Sequence, residues 1–164
     1  MIDGDLLAQA EELLEACRTR GVKIVTAESC TGGLIAATLT AIAGSSDVVD
    51  RGFVTYSDVS KTALLGVPPG VIASVGAVSE PVARRMAEGA LARAAADLAV
   101  AVTGIAGPGG GSEEKPVGLV WFGLASRRRA TASVRYVFKG DRTAVRRAAV
   151  AQALLLLRAA AAAW

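Results

Sequence analysis

Hydrophobic positions along the chain alternate between a helical spacing and the short apolar runs typical of strands. The first apolar set recurs every three to four residues and predicts a helix over residues 5–19 that ends at Gly21. The β-branched run at 22–27 predicts a strand, and a helix is predicted to begin near Ser29, to continue through 34–42 and to close at Gly44. Later segments predict strands at 50–56, 98–102, 117–125 and 131–138 and helices at 57–65, within 78–97 and from 142 to about 160.

Helix boundaries in the second half of the chain carry separate signals. Ser79 is a natural N-cap, and Pro81 follows in the first turn, where its missing N–H costs nothing. Pro68 and Pro69 predict the end of the preceding helix. Helices before, between and after the strands predict an α/β fold, a three-layer α/β/α sandwich with a mixed central sheet, in a single domain over residues 1–164.

The composition is that of a folded domain, with 52% hydrophobic and 20% charged residues. Its longest apolar runs are too short to span a bilayer. The first residues are acidic and amphipathic, unlike a signal peptide, and Cys17 and Cys30 are too few for a disulfide framework. We therefore expect a cytoplasmic protein without a membrane partner.

Basic side chains crowd the C-terminal third, although the formal net charge is only +3. The cluster is consistent with a phosphorylated small molecule as ligand and equally with a solvated face. Nucleic acid is not an expected partner, because the aromatic residues that would stack on bases make up only 4% of the chain. Arg142 and Arg146 are four residues apart on one predicted helix face, and we predict that they clamp a phosphate.

The chain contains no histidine. A Ser-His-Asp or Cys-His catalytic machine is therefore excluded within it, as is a zinc site that needs imidazole. Two cysteines alone make a poor metal site. If the protein is an enzyme, its proton transfers must run through Lys, Tyr, Glu, Asp or Cys side chains.

Residues 26–33, TAESCTGG, join a predicted strand to a predicted helix. Free N–H groups and the helix dipole at such a junction stabilise an oxyanion or a phosphate. Ser29 and Cys30 are both candidate nucleophiles, the thiol because a helix N-terminus lowers its pKa, and the residues alone leave the choice open. Cys30, Thr31 and Gly32 are predicted substrate contacts, although simple helix capping and glycine packing explain this segment equally well.

Tyr56 and Lys61 converge if Tyr56 closes its strand and Lys61 opens the next helix. A desolvated lysine can be neutral near pH 7, so a Tyr/Lys pair can act as a histidine-free base for a serine. Taken alone, both residues are more typical of a surface. Glu28 is predicted to border the substrate and to orient Lys61 or the nearby backbone, with a merely solvated carboxylate as the alternative.

A glycine-rich loop over residues 104–116 follows the strand that ends in Thr103. It lies where α/β sheets bind ligands, beyond the carboxyl ends of the strands, and it is longer than ordinary connections. The loop matches neither the triphosphate-binding nor the dinucleotide-binding glycine motif. We predict substrate contacts from Thr103, Gly104, Gly107 and Gly109.

Five segments together resemble the CinA C-terminal-domain family over residues 5–157. They are TAESCTGG, RGFVTYSDVSKTALLGV, GAVSEPVARRMAEGAL, VTGIAGPGGGSEEKPVGLVWFG and GDRTAVRRAAVAQAL. Characterised members of that family are nicotinamide-nucleotide amidohydrolases of the PncC type, which convert nicotinamide mononucleotide to nicotinate mononucleotide and ammonia. The resemblance implies a serine amidase with an arrangement similar to that of class C β-lactamases, formed here by Ser29, Tyr56 and Lys61.

The resemblance also implies a small nucleotide as substrate, with no cofactor and no metal, and we expect a homo-oligomer of two or more chains. Two other functions stay open from the sequence. One is β-lactamase-like hydrolysis of a different small amide or ester by the same serine. The other is a non-catalytic nucleotide-binding or damage-response module.

Overall fold

A computed structural model describes residues 2–164, and five strands form its centre. They are β1 (Ile24–Glu28), β2 (Val49–Val54), β3 (Leu98–Gly104), β4 (Leu119–Ser126) and β5 (Ala132–Val137). The sheet order is β2-β1-β3-β4-β5. Strand β1 pairs in parallel with β2 and β3, whereas β4 pairs antiparallel with both β3 and β5, so the sheet is mixed as predicted.

Helices cover both faces of this sheet. They are α1 (Gly4–Arg20), α2 (Leu34–Thr40), α3 (Asp58–Leu65), α4 (Pro69–Val75), α5 (Glu80–Ala92) and α6 (Arg142–Ala162), with a short 3₁₀ turn at Ser45–Asp47. One apolar cluster packs α1, α2 and α6 on one face, and a second packs α3, α4 and α5 on the other. The predicted three-layer α/β/α sandwich is confirmed. The predicted homo-oligomer stays a prediction.

Strands β1 and β3 lie at the centre and are almost fully buried, as expected for parallel strands covered on both sides. At the carboxyl end of β1, Glu28 pairs with Val54 of β2 and Val102 of β3. The segments that leave β1, β2 and β3 therefore start at one edge of the sheet, which is where open α/β sheets bind ligands. None of α1–α6 combines the length and apolar character needed to cross a membrane.

Two local predictions are wrong. The helix expected to begin near Ser29 begins at Leu34, because the intervening residues form a turn in which Gly32 and Gly33 adopt φ values of 60° and 96°. No helix was predicted in the segment after Pro69, because paired prolines are typical of the end of a helix. Pro69 instead opens α4, where proline is tolerated in the first turn.

Gly89 permits the close approach of α5 to the end of α3. A Cβ atom at this position would fall inside the van der Waals distance of the Leu65 carbonyl oxygen. Since backbone cannot rotate away like a flexible side chain, Gly89 determines how closely α3 packs against α5.

We expect Gly89→Ala to destabilise the protein, although alanine normally favours a helix over glycine. Overpacking of this kind costs about 1–3 kcal/mol, which lowers the melting temperature of a domain of this size by about 2–12 °C. Gly70→Ala in α4 is the matched control, because no heavy atom lies within 4 Å of its new Cβ. Thermal unfolding of both variants checks this, and equal melting temperatures would contradict the packing role of Gly89.

Candidate active site

Ser29 lies just after β1, in the turn that leads to α2. Its backbone N–H donates to the Val102 carbonyl at 2.9 Å, which ties the start of the turn to β3. The residue is 8% exposed, and its Oγ accepts a hydrogen bond from Lys61 Nζ at 3.1 Å. Two residues that lie 32 positions apart in the sequence are therefore in direct contact.

Lys61 is a buried amine surrounded by oxygen atoms. Its Nζ also donates to the carbonyls of Thr55 at 3.0 Å and Tyr56 at 3.3 Å, and lies 3.8 Å from Asp58 Oδ1. Burial lowers the pKa of Lys61 below 10.5, against the opposing effect of Asp58, because the ammonium form loses more solvation than the neutral amine. A lowered pKa increases the neutral fraction that can accept a proton.

Tyr56 takes part in the site through two separate groups. Its backbone carbonyl accepts from Lys61, whereas its side chain is 61% exposed and lies at the rim. The phenol oxygen accepts from Arg142 Nη2 at 2.9 Å, and Arg142 Nη1 donates to the Gly107 carbonyl at 3.0 Å. Tyr56 and Lys61 are thus brought together through the backbone, and the phenol pairs with Arg142.

Glu28 is fully buried at the end of β1, and its carboxylate caps α2. It accepts from the N–H groups of Gly33 at 3.1 Å, Ile35 at 3.0 Å and Ala36 at 2.9 Å. Because these amides already have an acceptor, the predicted oxyanion donors must come from the turn before α2, and their role stays a prediction. Of the roles predicted for Glu28, the contact with the nearby backbone is the one observed.

Arg142 and Arg146 both project from the first two turns of α6 but contact different groups. Arg146 Nε donates to the Cys30 carbonyl and Nη2 to the Thr31 carbonyl, each at 3.1 Å. Arg142 borders the cavity beside Ser29, and Arg146 does not. The predicted phosphate clamp is revised accordingly, since the Arg146 guanidinium is bonded to the turn.

Within residues 2–164, two backbone N–H groups of the turn have no acceptor on another residue. The Gly32 N–H closes the turn by donating to the Ser29 carbonyl at 3.0 Å, whereas the N–H groups of Cys30 and Thr31 donate to no other residue of the described chain. They are the amides nearest in sequence to the serine hydroxyl. An oxyanion formed on a group bound to Ser29 would find its donors here.

Cys30 is a poor nucleophile in this structure. The residue is 6% exposed and belongs to the apolar core, and burial raises the pKa of its thiol to about 12. The prediction that a helix start lowers this pKa is wrong, because the helix begins four residues later and its amides are capped. Thr31 is fully buried, and its Oγ1 has no hydrogen-bond partner within the described chain.

A cavity of about 240 Å³ opens beside Ser29 and Lys61. Thr103 and Gly104 line it as predicted, and the Thr103 hydroxyl donates to the Ala77 carbonyl at 2.9 Å. The other lining residues are Cys30, Tyr56, Asp58, Ala77, Val78, Ala106 and Arg142. Its volume is below the range of about 300–1,000 Å³ typical of drug-sized ligands, so the cavity fits the reacting end of a ligand whose remainder lies at the rim.

The predicted contacts from the glycine-rich loop are only partly in place. Gly107 reaches the site through its carbonyl, which accepts from Arg142, whereas Gly109 is exposed and does not line the cavity. Ala77 and Val78 also line the cavity. They were not predicted to do so, because they follow α4, a helix that the sequence pattern did not predict. Asp58 could have been found from the sequence, as it lies one helical turn before Lys61.

Two of the depressions that exceed the cavity beside Ser29 in volume, of about 630 and 500 Å³, lie against α1 with α6 and between α3 and α4. Neither is lined by a buried ionisable side chain. Across residues 2–164, no three cysteine, aspartate or glutamate side chains lie close enough together to hold a metal ion.

Comparison with known proteins gives consistent matches over nearly the whole chain. Residues 7–161 match the family model described as the CinA C-terminal domain. The nicotinamide-nucleotide amidohydrolase PncC of Escherichia coli strain K12 is 53% identical over 157 residues, which cover 96% of this chain and 95% of that protein. A CinA-like protein of Akkermansia muciniphila is 53% identical over 133 residues, which are 81% of this chain and 32% of that protein. The crystal structure of the competence/damage inducible protein CihA from Agrobacterium tumefaciens superposes with a TM-score of 0.93 at 49% identity, covering 97% of both chains.

The lowered pKa of Lys61 makes stability depend on pH with a definite sign. Between the folded and unfolded pKa values the unfolded chain binds more protons, so the stability of the wild type rises with pH. The penalty for burying the ammonium is complete below the folded pKa and is gone above the ordinary value of 10.5. The melting temperature of the wild type relative to Lys61→Met should therefore increase from neutral pH to pH 10.5. A constant or decreasing difference would contradict the lowered pKa.

Proposed function

Since the chain belongs to the CinA C-terminal domain family, we propose that it hydrolyses the carboxamide of nicotinamide mononucleotide to nicotinate mononucleotide and ammonia. The observation that carries this proposal is the buried Lys61 amine, 3.1 Å from the Ser29 hydroxyl in an open cavity. A serine in contact with a base of lowered pKa is the arrangement that acyl transfer needs. The 53% identity to a nicotinamide-nucleotide amidohydrolase supports the choice of amide.

The reaction begins when neutral Lys61 takes the Ser29 proton and Oγ attacks the carboxamide carbon. The carbonyl oxygen becomes an oxyanion, which the free N–H groups of Cys30 and Thr31 stabilise; one such donor is worth about 10²–10³ in rate. The C–N bond then breaks, and the nitrogen leaves as ammonia with a proton returned from the site. Water hydrolyses the acyl-serine by the same steps and restores Ser29.

Tyr56 acts with Lys61 in these proton transfers. Because the Tyr56 oxygen accepts from Arg142, its own O–H proton is available to the cavity that Tyr56 lines. In our proposal this hydroxyl passes its proton to the leaving nitrogen and takes one from the water that attacks the acyl-serine. Lys61 accepts the Ser29 proton in the first step and returns it to Oγ when the acyl group leaves. The 5′-phosphate lies at the rim against Arg142, the cation that borders the cavity mouth.

We expect Ser29→Ala and Lys61→Met each to lower kcat for nicotinamide mononucleotide by at least about 10³-fold, because each removes a group that the chemical step requires. Cys30→Ala should keep most of the activity, since its buried thiol remains protonated. Ammonia release from the purified proteins measures all three.

Each alternative predicts a different result in this experiment. Binding of the nucleotide without ammonia release by the wild type would identify a non-catalytic module. Turnover of other amides or esters through Ser29, with none of the nucleotide, would identify a β-lactamase-like hydrolase. Full activity of Ser29→Ala would exclude the serine mechanism altogether.

Tyr56 and Arg142 should affect different parts of the reaction. Tyr56→Phe should lower kcat equally for nicotinamide mononucleotide and for its riboside, which lacks only the phosphate. Arg142→Ala should lower kcat/KM for the mononucleotide by about ten- to hundredfold, the value of one charge-assisted phosphate contact, and should affect the riboside less. If Tyr56→Phe instead lowered kcat/KM for the mononucleotide alone, the role of Tyr56 would be to hold Arg142, and Lys61 would carry out the proton transfers alone.

A further inference from the structure

The side chains of Arg146 and Glu28 hold the turn that contains Ser29, residues 29–32, from opposite sides. The proposed proton transfers use neither of them. Arg146 reaches from α6 to the carbonyls of Cys30 and Thr31. Glu28, fully buried, binds the N–H groups of three residues just after the turn. Arg146 binds only carbonyl oxygens in the turn and Glu28 binds only amides, so the two contacts complement each other.

The geometry of the peptide bond connects these contacts to the oxyanion. The hydrogen bond from the Gly32 N–H to the Ser29 carbonyl makes residues 29–32 a β-turn, with Cys30 and Thr31 at its centre. In a trans peptide unit the C=O and N–H groups point in opposite directions. Holding the Cys30 carbonyl therefore fixes the Thr31 N–H on the opposite side, away from Arg146. Consecutive N–H groups presented in this way form an anion-binding concavity.

We propose that Arg146 is a positioning residue that fixes the two oxyanion donors of the turn, with Glu28 fixing its far end. This inference rests on the proposed function, since it concerns the same serine. Glu28 satisfies the amides that follow the turn, which leaves the N–H groups of Cys30 and Thr31 as the ones available to an oxyanion. Arg146 thus acts through the backbone, in contrast to the substrate contact proposed for Arg142.

The planar guanidinium suits this task better than a lysine would. Nε and Nη2 are held in one rigid fork and reach two successive carbonyls at the same distance of 3.1 Å. A lysine amine is a single point donor on a flexible stem and cannot hold both carbonyls in the same geometry. Arg146→Lys should therefore keep the charge and lose most of the positioning.

The test compares Arg146→Met and Arg146→Lys with Arg147→Met. Arg147 is the neighbour in α6 and pairs with Asp3 and Asp5, away from the cavity, so it controls for the loss of an ionic contact on the same helix. Two readouts are measured for each variant. One is kcat and KM for nicotinamide mononucleotide, and the other is the rate at which a fluorophosphonate labels Ser29, followed by intact mass. In labelling, the Oγ–P bond forms as the P–F bond breaks, fluoride leaves and the serine proton passes to Lys61.

We expect Arg146→Met to lower kcat and the labelling rate by about 10²-fold, with KM nearly unchanged. Misplacing the donors weakens their hydrogen bonds to the oxyanion of the transition state and has little effect on binding of the neutral substrate. Arg146→Lys should recover only part of this loss, and added guanidinium ion should partly rescue Arg146→Met. Arg147→Met should keep both rates.

Other outcomes overturn the inference. A raised KM with unchanged kcat and labelling would make Arg146 a substrate ligand. Equal losses of rate and melting temperature in Arg146→Met and Arg147→Met would make its role purely structural. If the wild type is labelled at Ser29 without releasing ammonia from the mononucleotide, the proposed function fails, and the labelling rates still decide the role of Arg146. Absence of both labelling and ammonia release in the wild type would overturn both proposals.

Discussion

The burial of one amine beside one hydroxyl constrains much of this structure. Lys61 must leave water to lie between Ser29 and the carbonyls of Thr55 and Tyr56, and it does so with a side chain that is only 1% exposed. That position requires β2 to end where the chain can turn into α3, and requires α3 to pack closely on α5. The carbonyls that accept from Nζ compensate in part for the lost solvation, while the lowered pKa leaves the amine able to take a proton.

Stability for such a site comes from the layers around it. The two apolar clusters enclose both faces of β1 and β3, so the carboxyl end of β1 is held rigidly from two sides. Against this support, the turn after β1 can contain two glycines in left-handed conformations and two amides with no acceptor on another residue of the described part of the chain. The hydrogen bonds from Glu28 and Arg146 to the backbone hold this turn where the apolar layers end.

Hydrophobic periodicity was sufficient to predict the fold class. The absence of histidine excluded other catalytic arrangements, but the residues alone left Ser29 and Cys30 open, and the pairing of Ser29 with Lys61 came from the family resemblance. The sequence was insufficient where contacts depend on geometry between elements. Arg142 and Arg146 share a helix face, but they lie about 6 Å apart along the axis, so one reaches the rim and the other the turn. Glu28 was difficult to place because its carboxylate binds amides that belong to a helix whose start was predicted five residues too early.

The absence of histidine makes the protonation of the buried lysine unusually simple to follow in this protein. A chain without histidine has, apart from its α-amino group, no side chain that ordinarily changes charge between pH 5 and 8. The other ionisable groups therefore ordinarily take up or release few protons near neutral pH. A proton released or taken up when a ligand fills the cavity, measured by calorimetry in buffers of different ionisation enthalpy, would report directly on the protonation of Lys61.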